Sequence, residues 1–298
     1  MANVLAKGSL FPPELTNELI NLVNGKSSLA KLAAQRPLSF VGNEIFTFTL
    51  DKEVDVVAEN GAKSNGGATM GSVSIVPVKI EYGTRVSDEF KYASEEQQIE
   101  YLRAFAEGFA AKAARGLDIM GFHGLNPRTD SASAVIGTNH FDSLVTNTVN
   151  LSSDPNANVE SAVALVQGGE YEVTGMAMSP AFRSALAAEV YTSDNRPMFP
   201  ELAWGSQPST IKGLPVDTNS TVSFGTNTVD NAIVGNFRDF FRWGVAKDIP
   251  IEIIEYGNPD NDANAGDLKG HNQIYLRGEM YIGWGILVPA AFARIVTP

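Results

Sequence analysis

The segment that most constrains this chain begins at Ser94-Glu95-Glu96-Gln97, which has the form of a capping box with acidic residues in the first turn. After it, Ile99, Leu102, Ala106, Phe109, Ala113, Leu117 and Met120 recur at three- and four-residue steps, the spacing of one helix face. The pattern predicts a helix from Ser94 to Met120, with Lys112 and Arg115 toward its C-terminal end and Gly121 as a left-handed cap. At about 1.5 Å per residue such a helix is ~40 Å long, so the rest of the fold must pack along it. Gly108 and Gly116 each cost about 1 kcal/mol relative to alanine inside a helix, which predicts close approach of another backbone there. Periodicity alone suits the spine of a flat domain and the core helix of an α/β enzyme equally.

Upstream, Ile45-Phe46-Thr47-Phe48-Thr49-Leu50 alternates as a strand does, and so does Val73 to Tyr82. Between them lies a polar, glycine-rich tip from Glu59 to Gly67. Arms of about 14 residues would reach ~45 Å, well beyond the ~19 Å radius of gyration of a compact chain this long. Isolated hairpins are marginal in water, so one this long is expected to rest on another subunit. The first 40 residues read as an extended arm, with a short helix between Pro12-Pro13 and Gly25 and another turn or two from Ser28 to Gln35 before Pro37.

After Asn126-Pro127, where a domain boundary is expected, short apolar segments alternate with Asn, Asp, Ser and Gly clusters. Helices are expected at Asn158 to Gln167 and at Pro180 to Val190, the second capped by Ser179 and preceded by a strand. Strands are expected at Ile249 to Tyr256 and Gln273 to Ile286, joined by a polar loop from Gly257 to Asn272. The fold class is therefore α+β.

Charge and composition narrow the function. The 298 residues include 22 basic and 34 acidic ones, a net charge of -12, which argues against a protein that neutralises phosphates or lies on an anionic membrane. Any contact with DNA should be weak and non-specific. The absence of cysteine excludes disulfides, zinc-thiolate sites and thiol nucleophiles. Met1 to Leu10 lacks a basic segment followed by an apolar run, and no apolar stretch approaches the roughly 18 residues needed to span a bilayer. No membrane partner is expected.

Catalytic signatures are missing. No GxSxG elbow, Walker phosphate loop or GxGxxG turn occurs, and His123, His140 and His271 fall in no metal-ligand spacing. We read these histidines as structural or solvent-facing. Asp260, Asp262 and Asn264 alternate like the start of an EF-hand loop, but the glycine comes late, at Gly266, and His271 stands where that motif needs glutamate. A solvated loop is expected there. The sequons at Asn150 and Asn219 mean little in a chain without a secretion signal. No catalytic, cofactor-binding or metal-binding residue, and no cofactor, is assigned.

Six stretches carry a resemblance: VKIEYGTRVSDEF (Val78 to Phe90), AARGLDIMGFHG (Ala113 to Gly124), MSPAFRSAL (Met178 to Leu186), LPVDTNS (Leu214 to Ser220), GNFRDFFRWGVAKDIPIEI (Gly235 to Ile253) and LRGEMYIGWGILVPAAFARI (Leu276 to Ile295). In this order, and over nearly the whole chain, they resemble the tailed-bacteriophage major capsid proteins of the Hong Kong 97 phage-like fold. The resemblance implies an N-terminal arm (1–44), an extended E-loop hairpin (45–82), a peripheral domain with its spine helix (83–127), an axial domain (128–246), and return strands with a loop completing the peripheral domain (247–298). It implies a non-enzymatic subunit that self-assembles, as pentamers and hexamers, into an icosahedral shell around double-stranded DNA. Its localisation would be the virion, after assembly in the host cytoplasm. Portal and decoration proteins are expected partners of that shell.

Some members of that family carry a removable scaffolding segment. Here the arm begins almost at Met1, in what reads as an ordinary translation start, so a separate scaffolding protein is expected. Some shells of this fold also join an E-loop lysine to a peripheral asparagine. Lys63 is the lysine in place, with Asn258, Asn261, Asn264 and Asn272 as acceptors that no spacing separates, and we read Lys63 as a solvated turn residue. Two alternatives stand beside this reading. One is an encapsulin, a nanocompartment shell of the same fold; the other is an α/β enzyme with an unrecognised carboxylate site.

Overall fold

The computed structural model describes residues 27–225, 230–247 and 251–298. The helix expected between Pro12 and Gly25 lies outside them. In chain order, α1 (Ser28–Leu32) is followed by β1 (Asn43–Leu50), β2 (Ala68–Ile75), β3 (Val78–Ser87) and the long helix α2 (Glu95–His123). Then come α3 (Phe141–Leu144), β4 (Thr148–Asn150), α4 (Pro155–Gly168), β5 (Gly175–Met178) and α5 (Pro180–Ala187). The remainder comprises β6 (Thr210–Ile211), β7 (Leu214–Thr218), β8 (Asp230–Gly235), α6 (Phe237–Phe240), β9 (Phe241–Lys247), β10 (Ile251–Ile254), β11 (Gln273–Ile286) and β12 (Phe292–Val296).

Helix α2 starts as its sequence dictates: Ser94 accepts from the Gln97 amide while the Gln97 side chain accepts from the Ser94 amide. It runs one turn past the expected end. Gly124, at φ 67°, makes the left-handed cap, and Gly121 lies inside the helix. A β-carbon on Gly121 would lie 2.6 Å from Leu29 Cδ1. Close packing therefore falls at Gly121; at Gly108 a β-carbon would meet nothing within 4 Å, and at Gly116 only Pro127 and Met120 at ordinary contact distances. Ile99, placed on the apolar stripe by its spacing, is exposed, since the first turns of α2 extend past the core.

The strand expected from Val73 to Tyr82 is two strands. Pro77 has no amide hydrogen to continue a ladder, and the chain changes partners around it. β2 pairs antiparallel with β1 over eight residues each, from Asn43↔Ile75 to Leu50↔Ala68, and β3 pairs antiparallel with β11. The paired arms of the hairpin are thus about 27 Å long at ~3.4 Å per residue, shorter than expected, with irregular chain from Asp51 to Gly67 beyond them.

Strand β11 is the backbone of a four-stranded sheet, with β3 along one edge and β10 then β9 along the other. The second sheet has the order β4-β12-β8-β5-β7-β6, with β4–β12 and β5–β7 parallel. Alternation in three of its strands separates two cores. Ala177, Ile233 and Phe292 face one side, with α2, α6 and the four-stranded sheet; Met176, Met178, Ala232, Val234, Ala293 and Ile295 face the other, with α4 and α5. At the centre of the first core Phe141 meets Phe122, Phe237, Phe241 and Phe292 at ring-centroid distances of 5.6, 6.0, 5.7 and 5.0 Å. Such aromatic pairs contribute about 0.5–1.5 kcal/mol each beyond area burial. The short strands β8, β9 and β12 were not singled out in the sequence.

Candidate assembly surface and buried polar sites

Cross-strand pairing puts Phe46 opposite Ser72, Phe48 opposite Met70 and Leu50 opposite Ala68, so these side chains share one face of the β1–β2 ribbon. That face is uncovered: Phe46 and Phe48 are each 66% exposed and Met70 71%. Val54 and Val56 in the following loop are almost wholly exposed. The opposite face, with Ile45, Val73 and Ile75, turns partly inward, and Ile75 packs where side chains at Gly283 and Gly285 would stand. A contiguous apolar face on a projecting ribbon marks a place for another protein surface. Elsewhere Trp204 is fully exposed on a bend at φ 55°, whereas Trp243 and Trp284 are buried.

Asp118 is fully buried on α2 and accepts from five donors. They are Ser27 Oγ, the Ser28 and Leu29 amides at 2.9 and 3.1 Å, Thr221 Oγ1 at 2.8 Å and Asn219 Nδ2 at 3.2 Å. Burial pushes its carboxyl up to about 6, against these bonds, which pull it down. The side chain fastens the start of α1 and the 219–221 turn to the long helix. Lys31 Nζ and Ser28 Oγ, both 2.6 Å from Asp217, add a second tie.

A second buried group joins His123, Asp142, Asp230 and Arg294. His123 Nδ1 lies 2.9 Å from Asp142 Oδ2, and Arg294 Nη2 lies 2.8 Å from Asp142 Oδ1 and 3.0 Å from Asp230 Oδ1. Three of these residues have the make-up of a metal site, with ligand atoms within 4.8 Å of one another. The Arg294 guanidinium, bound to both carboxylates, already supplies the cation.

The 257–272 loop is tied down more firmly than a solvated loop. Arg85 Nη2 reaches Asp260 Oδ1 and Asn258 Oδ1 at 2.6 Å and the Gly266 carbonyl at 3.0 Å, and Nη1 reaches the Ala265 carbonyl at 3.2 Å. The bond to Arg85 holds the Asp260 carboxyl down at about 2. Of the residues that alternate as in an EF-hand, Asp260 thus binds a guanidinium, and Asp262 Oδ1 accepts from the Asn264 and Ala265 amides. Of the histidines, His123 is buried, His140 is half-buried with Nδ1 unpartnered, and His271 is exposed with Nδ1 3.0 Å from the Asp267 carbonyl. Lys63 is exposed, and among its four possible acceptors Asn258 is held by Arg85 and by the Asp262 carbonyl.

The sequence missed Asp118, Asp142, Asp230, Arg294 and Arg85. Only Asp118 left a signal, as a lone carboxylate in the run Leu117-Asp118-Ile119-Met120. An α+β body with a projecting, half-apolar hairpin, whose polar clusters bind its own elements together, is the design of a structural subunit completed by neighbours.

The chain belongs to the phage capsid family, whose model matches residues 7–297. It is a structural major capsid protein. A solved structure from Mycobacterium phage Ogopogo is 33% identical with a TM-score of 0.77, covering 92% of each chain. One from Gordonia phage Cozz is 23% identical with a TM-score of 0.75, covering 92% of this chain and 87% of that one. The capsid of an empty GTA particle computed with C5 symmetry shares the fold at 14% identity and a TM-score of 0.64, covering 91% and 90%. No curated protein matches. The encapsulin alternative is not favoured by this set, and among the described residues no helix is long and apolar enough to cross a membrane.

Proposed function

We propose that this capsid protein closes, as pentamers and hexamers, into an icosahedral shell around the double-stranded DNA of a tailed phage, and that the β1–β2 ribbon is its E-loop, docked on a neighbouring copy. The observation that carries this reading is the uncovered face of Phe46, Phe48, Leu50 and Met70. Covering such side chains contributes about 1.5–3 kcal/mol each when burial is complete. Rings of such head-to-tail contacts close when the rotation between copies permits.

In the Hong Kong 97-like plan, residues 1–44 are the arm, 45–82 the E-loop region, 83–127 and 247–298 the peripheral domain and 128–246 the axial domain. Two features refine this partition. Ribbon pairing ends at Ile75, and β12, near the C-terminus, pairs inside the six-stranded sheet formed mostly by residues 148–235. Assembly takes place in the host cytoplasm with a separate scaffolding protein and a portal, and decoration proteins bind outside. The subunit does no catalysis.

Deleting Glu59 to Gly67 tests the docking. The expected product is a folded, soluble subunit whose particles, viewed by electron microscopy, are few or malformed. Normal shells from that deletion would remove the ribbon from its role.

A further inference from the structure

The face of the four-stranded sheet turned away from α2 is covered by two pieces of chain, residues 36–38 and the root of the β1–β2 ribbon. They lie directly on it because the strands carry glycine there. A β-carbon on Gly244 would run into the Arg36 carbonyl oxygen, one on Gly283 would lie 2.6 Å from Leu38 Cδ2, and one on Gly285 would lie 2.8 Å from Ile75 Cγ1. Between the two pieces remains a cavity of about 170 Å³, whose lining includes Arg36, Arg242, Asn43, Ile45, Ile75 and Trp243. Among the described residues neither arginine side chain has an ion-pair or hydrogen-bond partner, and Arg242 Nε is enclosed. Acidic residues outnumber basic ones 34 to 22 in this chain, yet none of those described lines the cavity. An enclosed N–H of a charged group left without an acceptor is costly, so the arrangement calls for an anion.

The ribbon carries unused acids at its other end. Glu53 and Asp55 are exposed and, among the described residues, have no ion-pair partner. They border one hollow with Gly67 and Ala68, and beside them Asp51 Oδ1 accepts from the Gly67 amide at 2.6 Å. Both therefore stand beyond the last pair of the ribbon, Leu50↔Ala68, whereas Asn43, Ile45 and Ile75 at the cavity belong to its first pairs. At ~3.4 Å per residue the paired stretch from Ile45 to Leu50 spans ~17 Å. The acids of a ribbon are thus held away from the cavity at its own root.

We propose that the cavity is a carboxylate-binding site and that its occupant is the Glu53-Val54-Asp55 segment of a second copy's ribbon, so that copies join tip to root. The proposal rests on the reading that the ribbon docks on a neighbouring copy, and it names the place. Glu53 and Asp55 alternate with Val54, so an extended pass sets both carboxylates on one side, to meet two guanidiniums. The planar fork of arginine matches a carboxylate with two parallel hydrogen bonds, and the apolar lining from Ile45, Ile75 and Trp243 limits competition from water. A tip-to-root contact uses a different surface on each copy, which is the kind of contact that propagates around a ring.

A double-mutant cycle in the full-length chain tests it, read as the lowest subunit concentration that yields particles in electron micrographs. One variant carries Glu53→Gln with Asp55→Asn, the other Arg36→Gln with Arg242→Gln. Each should raise that concentration by about tenfold or more, and the combined variant should be no worse than either alone, because both remove the same contact. Unchanged assembly in either variant, or losses that simply multiply, would overturn the proposal. The acid variant alters only exposed side chains, and its urea midpoint should match that of the unmodified subunit. Phenylglyoxal, which modifies accessible guanidinium groups, gives a reading that needs no variant: mass spectrometry should find Arg36 labelled in free subunits and protected in shells. Equal labelling in both would also overturn the site. Deleting Glu59 to Gly67 separates this idea from the broader one. If that deletion abolishes shells while the acid variant assembles normally, the ribbon docks elsewhere and only the carboxylate site falls.

Discussion

Asp118 shows how one side chain can decide whether two distant segments belong to the same body. Its five donors come from residues 27–29 and 219–221, and no apolar residue of the same size would satisfy them. Replacing Asp118 with alanine leaves buried amides and hydroxyls unpaired, and we expect a loss of about 3–5 kcal/mol, at the exceptional end for one substitution. Urea midpoints would measure it. Limited proteolysis should show early cutting near Ser27 to Ala30 in the variant, and unchanged protection there would contradict the role given to this carboxylate. The Ser94 cap, by contrast, was plain in the sequence, because a capping box needs only residues three apart.

At the scale of elements, partner choice matters more than propensity. Pro77 divides one apolar run into a strand for the ribbon and a strand for the body, and only the pairing of β3 with β11 reveals the division. The loop from Gly257 to Asn272 is similar: its composition reads as solvated, yet Arg85 gathers side chains and carbonyls from it. The Arg85→Gln variant should therefore speed amide hydrogen exchange across 257–272 while leaving the middle of α2 protected. Millimolar calcium should change neither chain's exchange, since a guanidinium already stands among the acids. Uniform exchange in both chains would show that the loop holds itself.

For the whole molecule, charge and layering set the behaviour. A net charge of -12 disfavours tight binding of duplex DNA. Free subunits or empty shells should bind duplex DNA little at physiological salt and without preference among sequences. Submicromolar, sequence-selective binding in a filter or anisotropy assay would contradict this. The six-stranded sheet carries a core on each face, while the apolar face of the ribbon is uncovered.

The sequence by itself determined what depends on near neighbours along the chain. The capping box and the spacing from Leu102 to Met120 made α2, Ser179-Pro180 opened α5, and alternation made β1 and β11, while α4 begins at Pro155, three residues before the expected Asn158. The order of its segments was enough to point to the capsid family. Tertiary structure decided what depends on residues far apart. The helix cap falls at Gly124 and not at Gly121, where Leu29, some ninety positions away, leaves no room for a β-carbon. Tertiary structure also set β12 between β4 and β8, and it brought His123, Asp142, Asp230 and Arg294 into one buried cluster. Periodicity reports which face of an element is apolar, but not which partner covers it, and a buried charge is recognisable only once its counter-charge has been brought beside it.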